Sequence, residues 1–309
     1  MLKNKRILAL FFVLLLVITI TFTACSGQPA SNDGKEVEQG EQNGDKDQVE
    51  ENVLETAAMN YFANMTSSNM LGAEDFINMV LEDKVDGYIL DIRTAEDYAK
   101  EHIKGAVNLP YGTAISDNLS KIPTDKPVYV YCYSGQTASQ TIALLRVAGI
   151  DAINITSGFN GGISQVEGFE DALETEANEF PEVNNQIADE IVEGITKFYA
   201  AEGNHKIKPA DVKEFVDAKD ESVVLLDIRQ EKDYKEGHIE GAINLPFGQG
   251  MEKGFADLPK DKKIIVICYS GQTADQTNAI LHLLGFDALG MSGGMNGGWL
   301  KEGFPVVTE

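Results

Sequence analysis

Cysteine, histidine, tryptophan and positive charge are all scarce in this 309-residue chain. Three cysteines are too few for a disulfide-rich scaffold. The four histidines stand in no metal-like spacing, so no metal and no other cofactor is expected. Lys and Arg number 25 against 49 Asp and Glu, a net charge of −24. So negative a chain has no electrostatic reason to bind nucleic acid or the face of an anionic bilayer. The apolar fraction of 43% and charged fraction of 24% are ordinary for a globular protein. Whole-chain disorder, collagen-like repeats and a long coiled coil are therefore excluded, and the length fits about two domains.

The first 24 residues read as an export signal. Lys3, Lys5 and Arg6 form a positive start, and Ile7 to Thr21 is an apolar run without charge. Phe22-Thr23-Ala24-Cys25 then places small residues before a cysteine. The layout resembles a bacterial lipoprotein signal, which implies lipidation of Cys25 and a chain tethered outside the cytoplasm. Phe22 stands where that pattern usually has leucine. An uncleaved apolar anchor is the competing reading, and it places the rest of the chain on the same side. Residues 25–52 follow as an acidic tether with almost nothing apolar to bury. Spacer and passive tail are both open readings of it.

The remainder is one unit written twice. Asp91-Ile92-Arg93 recurs as Asp227-Ile228-Arg229, and His102-Ile103-Lys104-Gly105-Ala106 as His238-Ile239-Glu240-Gly241-Ala242. Asn108-Leu109-Pro110 recurs as Asn244-Leu245-Pro246, and Cys132 to Ala138 as Cys268 to Ala274. Every pair is separated by the same 136 positions. That period is domain-sized, too long for a solenoid, so residues 53–175 and 186–309 are expected to be two tandem domains. Within each copy, short apolar runs (Tyr88-Ile89-Leu90, Val128 to Tyr131, Val223 to Leu226, and the β-branched Ile264 to Ile267) alternate with helical spacing at Gln140–Leu145 and Thr277–Leu284. The alternation implies α/β architecture, with parallel sheets flanked by helices. The acidic stretch Glu167 to Asn185 shows no clear strand pattern and reads as the connection.

Cys132 and Cys268 carry the candidate chemistry. Each ends a buried strand, with a glycine three residues on and a helix soon after. Ligands bind at such strand ends in parallel sheets. The helix N-terminus offers unpaired N–H groups and a positive dipole end, which predicts a lowered thiol pKa. Gly135 and Gly271 let successive amides curl around an anion. A buried structural cysteine is the bland alternative. Against it, the only two thiols besides Cys25 share one loop position in a chain read as exported.

The repeated Asp-x-Arg, the His-Ile-x-Gly-Ala-x-Asn-Leu-Pro segment, the six-residue loop and Gly293 to Trp299 together resemble the rhodanese-like sulfurtransferases. The resemblance covers nearly all of both copies and implies two rhodanese-like domains. It implies a cysteine persulfide that takes sulfane sulfur from a small donor, thiosulfate or a persulfide, and passes it to a thiol or cyanide. The substrate-binding loops are then Tyr133, Ser134, Gly135, Gln136 and Thr137, and Tyr269, Ser270, Gly271, Gln272 and Thr273. Family members acting on thiosulfate often have a basic sixth loop residue, where this chain has Thr137 and Thr273. The phosphatase branch of the fold has a longer loop with arginine where this chain has Ala138 and Ala274. Arg93 and Arg229 read as structural ion pairs with nearby acids (Glu96, Asp97, Glu231, Asp233), substrate binding being the alternative. His102 and His238 read as structural, a thiol base being the alternative. Ile163 in place of Trp299 marks copy one as the more degenerate. A binding module that uses its cysteines little, or a surface persulfide and thiol carrier, is the competing function.

Overall fold

The computed structural model describes residues 52–309. The expected signal, the lipidation site Cys25 and most of the acidic tether lie outside the described residues. The described residues form one compact unit.

Copy one builds a five-stranded sheet from β1 (Met70–Leu71), β2 (Tyr88–Asp91), β3 (Ala106–Asn108), β4 (Val128–Tyr131) and β5 (Ala152–Ile155). Its order is β1-β5-β4-β2-β3, with every pair parallel. Copy two repeats it with β6 (Lys206–Ile207), β7 (Val223–Asp227), β8 (Ile243–Asn244), β9 (Lys263–Ile267) and β10 (Asp287–Met291), ordered β6-β10-β9-β7-β8. Parallel neighbours need helical crossovers, which cover both faces of each sheet. Four helices matter here: α2 (Gln136–Val147) and α4 (Gln272–Leu283), which are crossovers, and α1 (Val53–Ala63) and α3 (Asp189–Ala200), which precede the first strand of each sheet. The α/β class with two parallel, helix-flanked sheets is the one expected. The connection is less plain than its composition suggests, because Leu173–Glu174 pairs antiparallel with His102–Ile103.

The period-two alternation of the central strands decides where the cysteines point. Val128 and Val130 on β4, and Ile264 and Val266 on β9, enter a single hydrophobic core drawn from both copies. Tyr129 and Tyr131 face a second core belonging to copy one, and Ile265 and Ile267 a third belonging to copy two. Cys132 and Cys268 continue the even-numbered parity, so both thiols back onto the shared core.

The shared core is closed by an exchange of helices. α1 belongs in sequence to copy one, yet Phe62 meets Phe247 and Phe255 of copy two edge-on, both at 5.6 Å. The Tyr61 hydroxyl donates to Gln276 at 2.7 Å. In return α3 of copy two reaches copy one, with Tyr199 edge-on to Tyr111 at 5.3 Å and its hydroxyl donating to Thr141 at 3.0 Å. The two sequence repeats are therefore not independent packing units.

Trp299, the only tryptophan, lies fully buried in copy two and reports on that copy alone. Phe62→Ala removes a fully buried ring and is expected to cost about 3–5 kcal/mol. Because that ring packs on copy two, the Trp299 fluorescence midpoint in urea should fall. An unchanged midpoint would show that α1 does not support copy two.

Candidate active site

Both cysteines sit at the carboxyl end of the central strand and are 2% exposed. Gly135 and Gly271 adopt φ of 82° and 89°, the left-handed turn that lets the loop curl before α2 and α4 begin. The Gly135 amide donates to Cys132 Sγ at 3.1 Å and the Ala138 amide at 3.4 Å. The Gly271 amide donates to Cys268 Sγ at 3.1 Å. These N–H groups are among those a helix start leaves unpaired, and a sulfur anion is their natural partner.

The expectation of a lowered thiol pKa fails at Cys268. Burial pushes this thiol up, and the Thr273 hydroxyl and the amides of Ala274, Ser270 and Gly271 only partly oppose it. Desolvation of the charged form outweighs the helix terminus, so the resting group is a thiol.

The remaining loop side chains divide into two groups. The Tyr133 hydroxyl accepts from the Thr94 amide at 3.2 Å and donates to Asp97 at 2.5 Å. Tyr269 does the same with the Gln230 amide and Asp233. Both tyrosines thus tie the loop to the neighbouring helix. The Gln136 and Gln272 side chains cross to the other copy, Gln272 also donating to Ser270 of its own loop at 3.2 Å. The Gln136 amide donates to Asp275 at 2.9 Å and its carbonyl accepts from the Gly293 amide at 3.1 Å. The Gln272 carbonyl accepts from Asn154 and from the Ser157 amide, both at 3.1 Å. Their side chains serve the interface between copies, while their backbone stays in the two cysteine loops.

Arg93 and Arg229 are ion-paired, but with different acids from those expected. Arg93 is 3% exposed, pairs with Asp91 at 2.7 Å, donates to the Glu101 carbonyl at 2.7 Å and lies over the Phe159 ring at 3.9 Å. Arg229 pairs with Asp227 at 2.6 Å and donates to the Gly237 carbonyl at 2.7 Å. The partner is the aspartate of the Asp-x-Arg motif itself, because the strand ends there and the chain folds back over two residues. Glu96, Asp97 and Glu231 instead meet Lys100 and Lys235, and Asp233 takes Tyr269. His102 bonds the Tyr98 and Glu176 carbonyls at 2.7 and 2.9 Å and stacks on Tyr98. His238 bonds the Tyr234 carbonyl and stacks on Tyr234. Ile163 and Trp299 are both fully buried in their copies' own cores. Their difference concerns packing, not the loop.

Two supports escaped sequence reasoning. Gly158 and Gly294 pass directly beneath the loops, and a Cβ on either would stand 2.4–2.7 Å from loop backbone atoms. The next residues pin the loop carbonyls, Phe159 to Cys132 and Met295 to Cys268, both at 2.7 Å. The offset of 136 could have found them, since Ser157-Gly158 and Gly293-Gly294 occupy equivalent positions.

The second is Asp275, fully buried between the copies. It accepts from Gln136, Gln140 and Asn278 at 2.9, 3.1 and 2.8 Å. Burial raises its carboxyl to about 7, against the opposing charge of Lys206 and the three amide donors. The folded protein thus holds a proton that an ordinary aspartate has already released. This group's stabilisation is complete below the usual aspartate range and is lost as pH rises through about 7. His282, lowered to about 4 by burial, has the opposite effect only below its ordinary value of 6.5. Between about pH 6.5 and pH 8.5, wild type should therefore lose roughly 1 kcal/mol more stability than Asp275→Ser, the residue that copy one has as Ser139. Urea midpoints with the same pH slope in both proteins would contradict this.

The profile of the Rhodanese-like domain matches residues 72–165 and 208–301. The chain is 34% identical over 90 residues to the putative sulfurtransferase YtwF of Bacillus subtilis, covering 29% of this chain and 85% of that protein. It is 34% identical over 67 residues to the putative sulfur carrier protein YrkF of the same organism, covering 22% of this chain. There the chain spans 36% of the relative's length. The crystal structure of SseA from Escherichia coli, described as a 3-mercaptopyruvate sulfotransferase, aligns over 72% of this chain and 97% of its own. Its sequence identity is 21% and its TM-score 0.36.

Proposed function

The chain belongs to the rhodanese-like family, and from that premise we propose that it is a sulfurtransferase with two sites, Cys132 and Cys268, each carrying sulfane sulfur as a persulfide. The observation that carries this reading is the pair of loop amides, Gly135 and Gly271, each 3.1 Å from a cysteine sulfur. The same donors can hold the outer sulfur of a persulfide anion, which brings its charge to the loop.

The buried, protonated thiol of Cys268 bears on the donor. In the proposed step the cysteine sulfur attacks the outer sulfur of a small persulfide. The donor S–S bond breaks, and its inner sulfur leaves with the electron pair and takes the proton that the cysteine gives up. A persulfide donor thereby supplies its own proton acceptor, which suits a thiol that burial keeps neutral. A thiol or cyanide then attacks the outer sulfur, and the cysteine leaves as thiolate. Thiosulfate is a dianion, and Ser134, Thr137, Ser270 and Thr273 offer its sulfonate no positive charge. Less charged donors are therefore favoured.

Incubation with a low-molecular-weight persulfide should add one sulfur atom to each of the two cysteines, read by intact-protein mass spectrometry. Cys268→Ser should gain one, and Cys132→Ser with Cys268→Ser none. If the double variant transfers sulfur at the wild-type rate, the persulfide assignment is wrong.

We further propose that the protein works outside the cytoplasm, tethered through lipidated Cys25. The support is the charged, apolar, small-residue order ending at that cysteine. Among the described residues no helix is long and apolar enough to cross a membrane. Cys25→Ser should leave an unprocessed precursor or release the protein from the membrane fraction. Unchanged processing and retention would exclude lipid anchoring.

A further inference from the structure

The fifth residue of each loop does its work in the other copy. The Gln272 carbonyl oxygen accepts from the Ser157 amide and the Asn154 side chain, and it stands 2.4 Å from where a Cβ on Gly135 would be. The Gln136 carboxamide accepts from the Gly293 amide and stands 2.4 Å from the corresponding point on Gly271. Ser157 and Gly293 are equivalent positions, and so are Gly135 and Gly271. Each glutamine therefore packs on the left-handed glycine whose amide meets the opposite sulfur. Each also holds the residue just before the glycine (Gly158 or Gly294) that underlies that opposite loop. Both glutamines are buried, so water does not replace these contacts.

We propose that Gln136 and Gln272 are positioning residues acting in trans, Gln272 fixing the sulfur-holding loop of Cys132 and Gln136 that of Cys268. The two sites then depend on one another, which goes beyond the sulfurtransferase reading while resting on it. The relation is not symmetric. Gln136 is itself anchored by Asp275, whereas Gln272 donates to Ser270 of its own loop at 3.2 Å. Gln272 thus links the Cys268 loop, through Ser270, to the Ser157-Gly158 support beneath the Cys132 loop.

The test resolves the two cysteines. Persulfide formation with a small persulfide and alkylation by iodoacetamide are each timed at Cys132 and Cys268 by peptide mass spectrometry on the full protein. Loss of a buried hydrogen bond is on the order of a tenfold effect. Gln272→Ala should slow Cys132 by about tenfold and weigh several-fold more on Cys132 than on Cys268. Gln136→Ala should show the opposite selectivity. Gln272→Glu keeps the acceptor for Ser157 and Asn154 and should restore most of the Cys132 rate. If the alanine variant does not fold, Gln272→Met, of similar volume but without the acceptor, is read the same way. Equal slowing of both cysteines in each variant, no slowing, or a glutamate variant as slow as alanine would overturn the assignment. A wild-type protein that gains no sulfur would sink the proposed function, while its alkylation rates still decide whether the glutamines act across the interface.

Discussion

The back-to-back packing of α2 against α4 is the constraint on which the rest of the structure depends. Each helix begins at a cysteine loop, so joining the helices brings the backs of both loops to one interface. Burial there favours a partner for each polar group, and among the described residues of this cluster only Asn154 Oδ1 and Asn278 Oδ1 go without one. Gln136, Gln140, Asn154, Gln272, Asp275 and Asn278 meet that demand largely through one another. The exchange of α1 and α3 seals the same core from either side. A duplicated chain has thereby become one folded unit in which neither copy completes its own site.

The helix terminus and burial pull the thiol in opposite directions, and magnitude decides between them. Loop amides and Thr273 favour the anion at Cys268, yet the sulfur is almost wholly removed from water and desolvation wins. The same reasoning applies to Asp275, where three amides and the charge of Lys206 do not offset full burial. In both cases the loop or interface suits an anion better than the surrounding dielectric does.

Much of this was legible in the sequence. The constant offset gave the duplication, the apolar runs gave the central strands, and the cysteine at a strand end with glycine three residues on gave the loop. Parity along Val128, Val130 and Cys132 even contains the direction in which the thiol points. What stayed hidden was anything set by contact between the copies. Gln136 and Gln272 read as loop residues because nothing local says that their side chains leave. Phe62 reads as copy one because chain order, not packing, assigns it. The acids beside Arg93 were misjudged for a related reason. Helix-surface Glu96 and Asp97 look available, but the buried guanidinium turns back to Asp91 in its own motif.

Whether the two copies are one unit is tested most directly by native-state hydrogen exchange of the Gly135 and Gly271 amides. These amides donate to Cys132 and Cys268 and lie on either side of the shared interface. If the interface holds both loops, the two amides exchange only through a common opening, with equal free energies that fall together as urea is added. If one copy opens while the other stays protected, the loops are independent and the central claim is wrong.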